Sequence, residues 1–102
     1  MDTIERFHDS LIQHGKSSNR IYVMEYPPSM KDDYPLRLKE FSAENGYTKI
    51  VCKIPSCYKD CFLQNGYIEE AVIPGFYLGN EAANFLCFYG DPLRQQEEMK
   101  KT

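Results

Sequence analysis

The chain has 102 residues, a net charge of −3 at pH 7 and an isoelectric point near 5.3. This length suits one domain, and 42% hydrophobic with 14% aromatic residues is a globular composition. The acidic balance argues against nucleic acid or an anionic membrane as a partner, because both require clustered Lys and Arg. No segment resembles a signal peptide or the ~20 apolar residues of a membrane span, so we expect a cytoplasmic protein.

Three strands are predicted before the first helix. Residues 3–7 and 10–14 alternate in polarity on either side of His8 and Asp9, which predicts an N-terminal hairpin. Residues 20–26 form a more continuous apolar run. This run predicts a central strand that is covered on both faces.

A helix is predicted to begin near Pro35, which suits a first turn, and to end at Asn45 and Gly46. Its core-facing side has the spacing i, i+4, i+7, occupied by Tyr34, Leu38 and Phe41. Residues 47–54 are the next strand, and a right-handed crossover should make it parallel to strand 20–26.

A shorter helix, residues 55–64, should follow, with Tyr58, Cys61 and Phe62 on its buried side. Residues 67–73 then alternate as a strand, which Pro74 and Gly75 are expected to end. After a loop over residues 75–82, the aromatic run 84–89 should pair back as an antiparallel strand.

The predicted fold class is α+β, with one mixed sheet in the order hairpin, strand, helix, strand, helix, strand, strand. Residues 1–90 form the expected domain. Residues 91–102 are charged and nearly without apolar side chains, which is typical of a linker or a frayed helix.

This order resembles the C-terminal half of the GNAT acetyltransferase fold. Residues 62–67, followed by Glu69 and Glu70, look like that family's helix end and its entry into the penultimate strand. More specifically, residues 12–24, 47–50 and 66–77 resemble the N-terminal region of beta-lysine N-acetyltransferases. The most telling segments are Gln-His-Gly at residues 13–15 and Ile-Pro-Gly-Phe-Tyr at residues 73–77.

The resemblance implies that the acetyl-CoA site of those enzymes lies in a later domain that this chain does not contain. A GNAT cofactor loop has the pattern Gln/Arg-x-x-Gly-x-Gly/Ala after the central strand, where backbone N–H groups hold the pyrophosphate. At this place the chain has no glycine and three prolines without an N–H, at positions 27, 28 and 35. Asp32 and Asp33 would also repel a pyrophosphate. We therefore expect no bound cofactor and no catalysis by this chain alone.

Other chemistry-bearing residues favour structural roles. Cys57 and Cys61 share a helix face, and a zinc site could be completed by His8, His14, Cys52 or Cys87, but the usual ligand spacings are missing. His14 is a conceivable general base with no visible nucleophile beside it. Adjacent Glu69 and Glu70 should point to opposite faces of a strand. We predict reduced thiols, no metal site and no catalytic residue.

The feature we expect to mediate an interaction is the aromatic surface of the last hairpin: Phe76, Tyr77, Leu78, Phe85 and Phe88. An open sheet edge with apolar side chains invites association. The leading hypothesis is a non-catalytic GNAT-like accessory domain that serves packing, dimerisation or the shaping of a substrate pocket. Its partner would be an acetyltransferase catalytic domain or a second copy. The alternative is a free-standing homodimer or small-ligand-binding module, and a self-sufficient acetyltransferase is the least favoured.

Overall fold

The computed structural model describes residues 2–77, 81–91, 93, 95 and 96, which form one six-stranded sheet with helices on it. The strands are β1 (Thr3–Phe7), β2 (Ser10–Gly15), β3 (Arg20–Glu25), β4 (Lys49–Pro55), β5 (Ile68–Tyr77) and β6 (Glu81–Tyr89). The helices are α1 (Tyr34–Glu44) and α2 (Lys59–Leu63), and a 3-10 turn at Ser56–Tyr58 leads into α2. The predicted element order and the α+β class are confirmed. None of the described helices has the length and apolar character to cross a membrane.

The strands lie in the order β1-β2-β3-β4-β6-β5. β3 and β4 are parallel, with Arg20 opposite Lys49, and the other neighbouring pairs are antiparallel. This confirms the predicted parallel pairing and places the final hairpin in the same sheet. The crossovers from β3 to β4 and from β4 to β5 move in the same direction, so the right-handed rule puts α1 and α2 on one face.

The hydrophobic core lies between that face and the two helices. Phe62 of α2 is fully buried and meets the rings of Tyr34 and Tyr67 edge-on, at centroid distances of 6.2 and 5.1 Å. Leu38 is also fully buried, and Phe41 packs against the core, which confirms the predicted inner side of α1. The sheet contributes a layer of fully buried side chains: Ile12, Ile21, Val23, Ile50, Cys52, Ile54 and Leu86.

The opposite face of the sheet, here called the open face, is not covered by α1 or α2. Because side chains alternate along a strand, Tyr22 and Met24 of β3 point to this face while Ile21 and Val23 enter the core. Both open-face residues are only partly buried. We expected β3 to be covered on both faces. This prediction is wrong, because both helices that the structure describes lie on the same face of the sheet.

The C-terminal hairpin is longer than the sequence predicts. β5 does not end at Pro74 but continues to Tyr77, and β6 already begins at Glu81. The predicted loop over residues 75–82 is therefore mostly strand. Residues 78–80, between the two strands, lie outside the described part of the chain.

The position of β5 at an edge of the sheet explains why it tolerates Pro74. β5 pairs with β6 on one side only, so a residue without an N–H need not interrupt a hydrogen-bonded ladder. The register shifts between Ile73 and Tyr77, and Gly75 has a φ of 65°, as a bulge there requires. The aromatic strand β6 lies between β4 and β5. Thus β5, and not the aromatic strand, lies at this edge of the sheet.

The turn between β1 and β2 has a strained backbone, and a substitution can relieve this strain. His8 and Asp9 have φ values of 46° and 66°, the left-handed region that a two-residue hairpin turn requires and that glycine adopts best. We expect Asp9→Gly to raise the free energy of unfolding by about 1 kcal/mol. Urea denaturation would measure the gain, and a loss of stability would show that the Asp9 side chain supports the turn.

Candidate interaction site

A groove opens at one end of the open face, where β3 and β4 diverge. Their register ends at Val23 opposite Cys52, although β3 continues to Glu25 and β4 to Pro55. The groove has a volume of about 400 Å³, near the lower end of the range of small-molecule sites. We call it the aromatic groove; its lining residues are Met24, Glu25, Tyr26, Pro28, Lys53, Phe76 and Tyr77.

Ring contacts hold the walls of the aromatic groove together. Tyr26, just after β3, meets Tyr77 edge-on at a centroid distance of 5.9 Å and contacts Tyr58 at 5.9 Å. Phe76 stacks edge-on against Tyr77 at 5.1 Å. Such pairs contribute about 0.5–1.5 kcal/mol each beyond their buried area. They fix the end of β5 to the segment after β3.

Two polar groups in the groove lack a conventional partner. The Lys53 ammonium lies 4.8 Å from the centre of the Phe76 ring and makes no ion pair within the described part of the chain. The Tyr77 hydroxyl is buried and has no hydrogen-bond partner among the residues that the structure describes. Burial raises the pKa of Tyr77 to about 12, so the group remains an O–H at neutral pH. The groove thus offers one cation, whereas the Tyr77 donor is buried beside it.

The unused hydroxyl has a measurable consequence for stability. A buried polar group without a hydrogen bond costs about 1–3 kcal/mol, so Tyr77→Phe should leave the free energy of unfolding unchanged or raise it by about 1 kcal/mol. Tyr67→Phe is the matched control, because the Tyr67 hydroxyl is buried and donates to the Pro35 carbonyl at 2.8 Å. That variant should lose about 1 kcal/mol. Thermal and urea unfolding of both variants would show whether Tyr67→Phe lowers the free energy of unfolding while Tyr77→Phe does not.

The structure brings together part of the interaction surface that the sequence suggested. Phe76 and Tyr77 line the groove, and Phe85 lies beside it on the open face, opposite Lys53. Phe88 instead points to the helix side, where it contacts Tyr67 at a ring distance of 5.6 Å. The fifth candidate, Leu78, lies outside the described residues.

Sequence reasoning missed Met24, Tyr26 and Lys53, which form the other half of the groove. Lys53 had a signal, because it is a charged residue within the apolar strand 50–54. A lysine at such a position must reach solvent or meet a partner. No local sequence pattern marks Tyr26 and Met24 as groove residues, because they line the groove only as a result of the divergence of β3 from β4.

The junction between β3 and α1 differs in detail from the expected arrangement. Asp33 stands at the start of α1, but its side chain makes no capping hydrogen bond. Its carboxylate instead accepts from the Arg37 guanidinium at 3.3 Å, and Arg37 also donates to Glu40 at 3.0 Å. Asp32 is exposed. The Asp33 carboxylate therefore lies at the helix start, as expected. It pairs with the Arg37 side chain rather than with backbone N–H groups.

His14 and the paired glutamates have internal partners. Both ring nitrogens of His14 are bonded, one to the Tyr47 hydroxyl at 2.8 Å and the other to the Glu5 carboxylate at 2.6 Å. Glu69 pairs with Lys59 of α2 at 3.4 Å, whereas Glu70 bonds the Tyr89 hydroxyl. The two glutamates thus point to opposite faces, as predicted.

The four cysteines are free thiols. Burial raises the pKa of the Cys52 thiol, which lies in the core and is therefore unreactive at neutral pH. Among the described residues, no group of three or more His, Cys, Asp or Glu side chains is arranged to hold a metal ion.

Comparison with solved structures shows that the fold is similar to that of a solved protein described as a probable acetyltransferase. The chain superposes on a probable acetyltransferase from Staphylococcus epidermidis with a TM-score of 0.52 and 13% identity, over 80% of this chain and 60% of that one. In sequence it is similar to the beta-lysine N(6)-acetyltransferase of Methanococcus maripaludis, with 26% identity over 101 residues. The match covers 99% of this chain but only 36% of that relative, at its N-terminal part. No family model matches the sequence.

Proposed function

We propose that the chain is a non-catalytic GNAT-like domain that packs against an acetyltransferase domain, in a system resembling beta-lysine N-acetylation. In this role it would shape one wall of an amine-substrate pocket. The observation that carries the proposal is the open face. It presents apolar side chains that neither α1 nor α2 covers, including Ile68 and Ile73, which are 41% and 40% exposed on β5.

The chemistry of the β3–α1 junction supports a non-catalytic role. Pyrophosphate binding at a helix start depends on free backbone N–H groups and a positive field. Pro27 and Pro28 supply no N–H, and Pro35 occupies the first turn of α1. Arg37, the cation at the same place, is already engaged by the carboxylates of Asp33 and Glu40, at 3.3 and 3.0 Å. We infer that the acetyl-CoA site of such a system belongs to a separate catalytic domain.

The partner that we infer is based on the sequence relative. The chain spans about a third of that acetyltransferase's length, and we infer that the remaining part contains the catalytic centre. A domain covering the open face would bury the apolar residues of β4, β5 and β6. The bulge and Pro74 make β5 a poor template for edge-to-edge pairing, which favours a partner on the face over one on the edge.

The test pairs two adjacent residues of β5. Ile73 lies opposite Ala83 and points to the open face, whereas Val72 lies opposite Asn84 and points to the other face. They are exposed to similar extents, 40% and 46%. Ile73→Glu should weaken binding to the C-terminal portion of the archaeal acetyltransferase by about tenfold or more, because it buries a charge in the interface. Val72→Glu should have no effect.

Sedimentation velocity with the purified chain and that C-terminal portion would measure the complex. No association at micromolar concentrations would contradict the proposal. A stable homodimer of this chain that Ile73→Glu dissociates would instead support the alternative, a free-standing dimeric module.

A further inference from the structure

The strand β1 forms an edge of the sheet that another strand could extend. It lies at one end of the strand order, pairs with β2 alone, and is exposed along its length except at Phe7, which is partly buried. Among the residues that the structure describes, no other strand pairs with this edge. Unlike β5, β1 has neither a proline nor a register shift against its neighbour. It is therefore a regular template for pairing with a further strand.

The hairpin determines which backbone groups of β1 point outward. Its turn has two residues, so the flanking residues Phe7 and Ser10 form a hydrogen-bonded pair. Hydrogen-bonded and non-hydrogen-bonded pairs then alternate along the two strands, which places Ile4 and Arg6 in non-hydrogen-bonded pairs. The N–H and C=O groups of these two residues therefore point away from β2.

The side chains at the outward positions follow the order acidic, apolar, basic. Phe7 packs against the core, so alternation along β1 turns Ile4 and Arg6 to the open face. Asp2, just before β1, lies so close to Gly15 that its carboxylate would collide with any side chain there. Ile4 is 56% exposed, and Arg6 makes no ion pair within the described part of the chain.

This order is complementary to itself in one antiparallel register. With Ile4 opposite Ile4 of another copy, Asp2 of each copy lies opposite Arg6 of the other. The outward backbone groups at these positions then form hydrogen-bonded pairs. A shift of two residues would place Glu5 opposite Glu5, and a shift of four would place Arg6 opposite Arg6, both of which like-charge repulsion disfavours. A shift in the other direction would shorten the pairing.

We propose that two copies of this chain pair through β1 in that register, which joins their sheets into one continuous sheet. β1 and β5 lie at opposite ends of the strand order, so this contact is separate from the proposed contact with an acetyltransferase domain. Either proposal can fail without the other. A strip of this length belongs with small interfaces, below about 1,200 Å², so we expect a dimer that dissociates on dilution.

Sedimentation velocity of the chain without an N-terminal tag, at about 10 µM to 1 mM, tests the proposal. We expect the dimer fraction to rise with concentration. Ile4→Pro should abolish the dimer while the circular dichroism spectrum stays that of a folded chain, because the Ile4 N–H makes no bond to β2. Ile73→Glu, near the other edge, should leave the dimer intact. A chain that remains monomeric at the highest concentration would overturn the proposal, as would a dimer that Ile73→Glu dissociates and Ile4→Pro does not.

Charge reversal tests the register itself. Asp2→Arg and Arg6→Asp each place like charges opposite one another, so either variant alone should dimerise about tenfold or more weakly than the wild type. An equal mixture of the two variants should form a heterodimer about as readily as the wild type forms its dimer, since opposite charges then meet at both positions. Unchanged dimerisation of either variant alone, or a mixture that associates no better than its components, would contradict this register and the proposal with it.

Discussion

Replacing Phe62 by alanine is expected to remove about 3–5 kcal/mol of stability, the largest loss from any single truncation of the core. Phe62 is fully buried at the point where α2 meets the sheet, and its ring contacts both Tyr34 of α1 and Tyr67 before β5. Its loss would leave a cavity between both helices and the sheet. A domain of this size is stable by roughly 5–10 kcal/mol, so about half of that would disappear.

Urea denaturation at pH 7 would measure this loss. Leu63→Ala is the matched control, because Leu63 is the next residue in α2 and is 41% exposed. That variant should change stability by less than about 1 kcal/mol. Equal effects of the two substitutions would mean that α2 does not pack as described.

Cys52→Asp is expected to prevent folding at neutral pH. Cys52 is completely buried in β4, so an aspartate there would have to give up its charge in order to fold. Burial of that kind raises a carboxyl pKa by about 3–5 units, which corresponds to a cost of about 4 kcal/mol at pH 7, and the polar carboxyl must in addition be buried. Cys57→Asp, at an exposed cysteine, should leave the chain folded.

The loss of stability caused by Cys52→Asp should grow as the pH rises. A carboxyl whose pKa is raised in the folded state favours folding only while it is protonated, so its penalty appears as the pH rises above about 4. The difference in stability between the variant and the wild type should therefore be smaller at pH 3.5 than at pH 7. Circular dichroism and one-dimensional NMR at both values would test this. A variant that is folded equally well at both values would contradict the burial of Cys52.

Local sequence signals predicted the helices and the parallel strand pair well. Pro35 marks the start of α1, and Asn45 with Gly46 marks its end, because each residue type has a physical preference for that position. The spacing of Tyr34 and Leu38 predicted the buried side. These preferences act over a few residues, and the structure agrees with them.

Properties that depend on a strand's place in the sheet could not be predicted. The sequence predicts that Pro74 ends β5 because proline lacks an N–H, but the missing N–H matters only where a neighbouring strand needs it for a hydrogen bond. The aromatic groove was only half predicted for a similar reason. Tyr26 and Phe76 are 50 positions apart in the sequence. They line one space because β3 diverges from β4, which no local pattern encodes.

We propose that this chain, although its fold is similar to that of a probable acetyltransferase, does not bind acetyl-CoA. Isothermal titration of the chain with acetyl-CoA up to about 1 mM tests it most directly, with the intact archaeal acetyltransferase as a positive control. We predict no saturable heat for this chain, because prolines and carboxylates occupy the junction between β3 and α1. Saturable binding with a sub-millimolar Kd, lost on competition by coenzyme A, would contradict the claim.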